Sequence, residues 1–107
     1  MKQLLAVDLS QWLQAAGRPA PVLLDVREPW EFAICALPGS TAMPMREIPA
    51  RLGELDPTRP IVCVCHHGHR SLQVAHFLEQ RGFADVSNLF GGVAAWSRDV
   101  DPSFPTY

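Results

Sequence analysis

Apolar positions along the chain change their spacing several times, and each change marks an element. Leu9, Trp12, Leu13 and Ala16 fall at i, i+3, i+4 and i+7, which predicts a short amphipathic helix over 8–16 behind a strand or lead-in at Leu4-Leu5-Ala6-Val7. Gly17 suits its C-terminal cap, and Pro19 and Pro21 prevent continuation. Val22-Leu23-Leu24-Asp25-Val26 is then an almost unbroken apolar run, the pattern of a strand covered on both faces, with Asp25 and Arg27 at its far end. Pro29 at a first helical position, followed by Trp30-Glu31-Phe32-Ala33, predicts a second helix, and Leu37-Pro38-Gly39-Ser40 a turn. Met43 and Met45 are expected to cover a core edge. Ile48, Leu52 and Leu55 have helical spacing within 46–55, where Pro49 is tolerable only in a first turn, and Asp56-Pro57-Thr58-Arg59-Pro60 ends that segment.

The second half repeats the alternation. A strand over 61–65 runs into the loop His66-His67-Gly68-His69-Arg70, and Leu72-Gln73-Val74-Ala75-His76-Phe77-Leu78 has helical spacing, so a helix is expected from about Ser71 to Gln80 with Gly82 as its left-handed cap. Val86-Ser87-Asn88-Leu89 is a last short strand, Gly91-Gly92 breaks it, and Val93-Ala94-Ala95-Trp96 starts a terminal helix. The tail over 101–107 holds Pro102 and Pro105 and is expected to be extended. Strands alternating with helices predict an α/β fold, a mostly parallel central sheet with helices on both faces. Ligands of such folds bind beyond the carboxyl ends of the strands, where the Cys65 loop lies. Backbone N–H groups of a loop entering a helix N-terminus stabilise an anion, and the helix dipole adds to the effect. A free thiol titrates near a pKa of about 8.5, and surroundings of this kind lower it to roughly 3.5–7.5, which makes Cys65 a candidate nucleophile.

Composition narrows the picture. The 107 residues are 48% hydrophobic and 19% charged, enough for one domain over 1–107 that needs neither disulfide nor structural metal. A net charge of −2 with both signs scattered gives no basic stripe, so nucleic acid is not an expected partner. No apolar run approaches the ~20 residues that span a bilayer, and the first residues lack a signal-peptide core, so no membrane association and a cytoplasmic location are expected. An odd cysteine count, Cys35, Cys63 and Cys65, argues against a disulfide framework.

These residues together resemble the single-domain rhodanese family of sulfurtransferases. The resemblance runs through Leu24-Asp25-Val26-Arg27-Glu28-Pro29-Trp30-Glu31-Phe32, Leu37-Pro38-Gly39-Ser40, Cys65-His66-His67-Gly68-His69-Arg70-Ser71, Gly82-Phe83 and Leu89-Phe90-Gly91-Gly92 with Trp96. One departure is Cys35-Ala36, where many relatives carry Gly-His. The resemblance implies a rhodanese-like three-layer fold and a mechanism in which the Cys65 thiolate takes the outer sulfur of thiosulfate or a similar donor. A persulfide forms and passes its sulfur to a thiol, cyanide or a protein acceptor, with no cofactor and no metal. Related phosphatases of this fold place five residues between Cys and Arg. Here His66, His67, Gly68 and His69 alone separate Cys65 from Arg70, and the smaller cradle suits sulfur better than a phosphoryl group.

Within that reading, Gly68 supplies a positive φ or a close backbone approach to the sulfur. Arg70 attracts a dianionic donor or steadies the persulfide, and Ser71 caps the following helix. His66, His67 and His69 are either bystanders or a rim that becomes cationic on acidification, giving a bell-shaped kcat/KM profile. Asp25 and Arg27 are expected to form a semi-buried supporting ion pair. Cys63 and Cys35 are read as structural thiols, and Trp12, Trp30 and Trp96 as core anchors. A metal held by Cys63, Cys65 and the histidines is disfavoured because successive loop histidines do not converge as ligands at helical spacing do. The alternative from another class is a module that carries sulfur or binds a partner without turnover.

Overall fold

The structure, a computed structural model, describes all residues from Met1 to Tyr107. Its centre is a five-stranded, wholly parallel sheet of β1 (Lys2–Leu4), β2 (Val22–Asp25), β3 (Thr41–Ala42), β4 (Ile61–Val64) and β5 (Val86–Leu89), in the order β1-β5-β4-β2-β3. The helices are α1 (Ala6–Gln14), α2 (Pro29–Ile34), α3 (Ile48–Arg51), α4 (His69–Gln80) and α5 (Gly92–Asp99). This is the expected α/β architecture. β4 is central because every residue of Ile61–Val64 is buried, so both faces can be covered by apolar partners.

Alternation along the strands sorts the core into two layers. Leu23, Val62, Val64 and Leu89 pack with Leu9, Trp12 and Trp96 of α1 and α5. On the other face, Leu24, Ile61, Cys63 and Val86 pack with Ile48 of α3 and Val74, Ala75 and Leu78 of α4. Each fully buried Leu, Ile or Val contributes about 1.5–3 kcal/mol relative to exposure. No helix is long and apolar enough to cross a membrane.

Several local expectations shift for identifiable reasons. α1 begins at Ala6 and buries Ala6, Leu9 and Trp12, so Leu13 and Ala16 fall outside the core face. The segment 46–55 is one turn of α-helix at Ile48–Arg51 between 3-10 turns at Met45–Glu47 and Leu52–Glu54, with Pro49 in the first turn where its missing N–H costs nothing. Trp30 is 62% exposed rather than a core anchor, because α2 turns Glu31 inward and leaves its neighbour on the solvent side. The tail does not simply extend. Phe104 N–H bonds the Asp101 carbonyl in a turn, Ser97 Oγ donates to the Phe104 carbonyl at 3.0 Å, and the Phe104 ring is buried against α5. Its last residues then pass over the ends of β2 and β4.

Candidate active site

Strand order turns back between β2 and β4, and the loops leaving their carboxyl ends meet there. The first builds a rigid wall. Asp25 and Arg27, expected to be semi-buried, have side chains at 0% exposure. Arg27 Nε donates to Asp25 Oδ1 at 2.9 Å and Nη2 to Oδ2 at 2.7 Å. The rest of the guanidinium bonds the Cys35 carbonyl at 2.6 Å and Tyr107 Oη at 3.0 Å. Burial by itself lowers the arginine's pKa, but the bonds to Asp25 and Tyr107 outweigh it and the net direction is up. With its donors engaged inside the fold, Arg27 is a strut tying β2 to α2 and the tail.

Beyond that strut, α2 opens with Pro29 and a reciprocal capping box between Glu28 and Glu31. The box fixes Glu31, whose side chain is 5% exposed, pointing toward α4. Arg70 grips it bidentately, Nη1 to Oε1 at 2.6 Å and Nη2 to Oε2 at 2.9 Å, and Tyr107 Oη donates to Oε2 at 2.8 Å. The Arg70 bonds, above all, hold the Glu31 carboxyl at about 2. Arg70 is therefore already paired with a carboxylate in the resting protein, a partner invisible in the loop's own sequence.

The loop itself wraps the sulfur. Gly68 has φ +93° and caps α4, so the helix starts at His69, two residues before the sequence boundary. Its N–H donates to Cys65 Sγ at 3.1 Å, and the N–H and Oγ of Ser71 reach the same atom at 3.4 and 3.2 Å. Ser71 is thus no cap. It lies inside the first turn, fully buried, and its hydroxyl turns to the sulfur and to Asn88 Oδ1. The cradle is fastened from outside by α5, where Val93 N–H bonds the Cys65 carbonyl at 2.9 Å and Ala94 N–H the His66 carbonyl at 3.1 Å. That docking requires Gly92, with φ +62°, because a Cβ there would lie 2.3 Å from the His66 carbonyl oxygen and 2.4 Å from that of Cys65.

Cys65 is 1% exposed, deeper than a residue at a loop mouth. Cys63 lies in the strand core, where burial pushes its thiol up to about 12. Cys35 is also buried, its sulfur 3.7 Å from Arg27 Nη1. The three histidines do not form one rim. His66 is stacked between His67 and Tyr107, both ring pairs 3.9 Å apart, while His67 and His69 are exposed. Burial, and then the charge of His67, lowers the His66 pKa, so this ring leaves the cationic form earlier than an ordinary histidine as pH rises. The sequence reading missed Glu31, Asn88, Gln3 and Tyr107. The signal available was the polar pair Ser87-Asn88 at the centre of β5, since a polar side chain buried in a strand has to find partners.

Comparison with known proteins adds to this geometry. The family model described as "Rhodanese-like domain" matches residues 7–99. The chain is 40% identical over 77 residues to a protein named "Sulfurtransferase" from Allochromatium vinosum, covering 72% of each chain. It is 32% identical over 90 residues to "Thiosulfate sulfurtransferase GlpE" of Pseudoalteromonas translucida, covering 84% of this chain and 86% of that one. It is also 44% identical over 89 residues to "Rhodanese-like/PpiC domain-containing protein 12, chloroplastic" of Arabidopsis thaliana; the match covers 79% of this chain but spans only 30% of that relative's length. Among solved structures, a rhodanese-like domain protein from Staphylococcus aureus superposes with a TM-score of 0.84 at 29% identity, covering 100% of this chain and 99% of the other.

Proposed function

This chain belongs to the rhodanese-like domain family, and from that premise we propose that it is a sulfurtransferase with Cys65 as the sulfur carrier. The observation that carries the reading is the convergence of the Gly68 N–H, the Ser71 N–H and the Ser71 hydroxyl on one buried sulfur. Donors aimed at a sulfur favour its anionic form, and the anion is the nucleophile.

Taking thiosulfate as donor, the thiolate attacks the outer sulfur. A new S–S bond forms at Cys65, the bond to the sulfonyl sulfur breaks, and sulfite leaves with its electron pair. The persulfide's outer sulfur carries the negative charge. A thiol, cyanide or an acceptor protein then attacks that outer sulfur, and Cys65 departs as thiolate. His66, His67, His69 and Arg70 frame the approach. Asp25 and Arg27 keep the wall behind it fixed, and Ser71 addresses the sulfur directly.

The engagement of Arg70 by Glu31 shapes the encounter. A dianionic donor meets a cation already neutralised, so backbone dipoles rather than a free guanidinium hold it. Intact-mass measurement after incubation with thiosulfate tests the proposal. A gain of one sulfur on the wild type, absent in Cys65→Ser and discharged by cyanide, is the expected result. No gain, or the same gain in Cys65→Ser, defeats it. A gain that cyanide fails to discharge identifies a carrier module without turnover.

A further inference from the structure

The Ser71 hydroxyl stands between two acceptors, Cys65 Sγ at 3.2 Å and Asn88 Oδ1. One hydroxyl carries one hydrogen, so it serves one of them at a time. The orientation of the Asn88 amide is fixed by its other neighbours. Nδ2 lies 3.1 Å from the Gly68 carbonyl oxygen, which only accepts, and 2.8 Å from Gln3 Oε1. The atom facing Ser71 is therefore Oδ1, which also only accepts. When Cys65 is a thiol, the amide oxygen is the better acceptor and the hydrogen lies toward Asn88. When Cys65 is a thiolate, the charged sulfur claims it.

We propose that Asn88 is a positioning residue that competes with the Cys65 thiolate for the Ser71 hydrogen, making Ser71 a donor with two settings read out by the charge on Sγ. The proposal rests on the thiolate chemistry of the preceding section. Ionisation sends the thiol proton to solvent and rotates the hydroxyl from Asn88 to sulfur. Loading moves the negative charge to the outer sulfur of the persulfide, Sγ loses its claim, and the hydroxyl turns back. No covalent bond to Ser71 or Asn88 forms at any stage. Asn88 thereby opposes the empty thiolate and releases that opposition once sulfur is loaded.

Other ionisable groups surround this centre. They are Cys63 on β4, Asp25 at the end of β2 and Arg27 just past it, Glu31 on α2, His66 and His67 in the loop, His69 and Arg70 on α4, and Tyr107 in the tail. All are shared by the variants below, so differences between variants report Asn88 and Ser71.

The test is the pH dependence of iodoacetamide alkylation at Cys65, followed by peptide mass mapping on the full chain. Asn88→Ala is expected to move the midpoint down, with alkylation roughly three- to tenfold faster on the acidic limb. Asn88→Asp, which holds the hydrogen more firmly and adds negative charge, is expected to move it up. Both variants lose the amide donor to the Gly68 carbonyl. An Asn88→Ala midpoint that stays or rises overturns the proposal, and a Ser71→Ala background separates competition for the hydroxyl from a role exercised only through Gly68. In a Ser71→Ala background the Asn88→Ala shift should vanish, and its persistence overturns the proposal as well. Should Asn88→Ala fail to fold, Asn88→Asp with and without Ser71→Ala carries the same decision, since its upward shift must shrink when the hydroxyl is gone. Alkylation needs no sulfur donor, so failure of this inference is distinct from failure of the sulfur-transfer reading, which the thiosulfate mass gain reports.

Discussion

Glu31→Gln isolates one buried charge and makes a pH-dependent prediction. The carboxylate accepts two bonds from Arg70, one from the Tyr107 hydroxyl and one from the Glu28 N–H at 3.0 Å, and its pKa is held at about 2 against an ordinary 4.5. A depression of that size corresponds to about 3 kcal/mol of stability, present in full above the unfolded-state value and lost as pH falls from there toward the folded-state value. Glutamine keeps the shape and part of the hydrogen bonding, so the loss at pH 7 is expected to be about 2–3 kcal/mol. For a domain of this length that is a fall in Tm of about 10 °C. The decisive reading is the difference in Tm between wild type and variant, followed by circular dichroism from pH 7 to pH 2.5. It should hold steady down to about pH 5 and then close, because acid removes from the wild type the charge that the variant never had. A gap that stays constant to pH 2.5 refutes the assignment of the stabilisation to the ionised Glu31–Arg70 pair.

The same variant should alter donor choice. Releasing Arg70 is expected to raise kcat/KM for thiosulfate about fivefold at low salt, an advantage that fades with added salt; an unchanged kcat/KM at low salt contradicts the view that Glu31 neutralises the approach. Gly92→Ala should cost about 3 kcal/mol in urea unfolding, since its Cβ meets the carbonyl oxygens of Cys65 and His66; full stability would mean that the loop and α5 are not locked together. Trp12→Ala should cost about 3–5 kcal/mol, because the ring is buried and its Nε1–H donates to the Pro19 carbonyl at 2.9 Å. Trp30→Ala, on the exposed ring, should stay within about 1 kcal/mol, and equal losses in the two variants would contradict the placement of Trp30 outside the core.

Much of the fold was legible because it is written locally. Period and punctuation place β2, β4, α4 and α5 nearly where they are, and Gly68 takes the left-handed conformation that its place in the loop predicts. What escaped was decided by meetings across the chain. Ser71 has the look of a cap in sequence, yet Gly68 takes that position and Asn88, seventeen residues on, takes the hydroxyl. Glu31 and Arg70 lie thirty-nine residues apart, so no window of helical length contains both. Trp30 reads as core by hydrophobicity alone, but the inward turn of Glu31 sets the register of α2. The histidines carry no signal in sequence of the Tyr107 ring that stacks on His66 and separates its behaviour from that of its neighbours.

The clamp of α5 on the loop has a consequence for the order in which the protein becomes reactive. Ribosomes deliver the proposed sulfur carrier at position 65 and the cradle's own amides directly after it, but the groups that fasten the cradle come from positions 93 and 94, and the edge pairing of β1 waits for β5. Synthesis at about 5–20 residues per second separates these events by seconds. During that interval the Cys65 loop lacks its fastening to α5. Nascent chains are therefore expected to be chemically quiet at this sulfur until α5 has left the ribosome and closed the circuit, a delay written into the connectivity of a parallel sheet whose first strand pairs with its last.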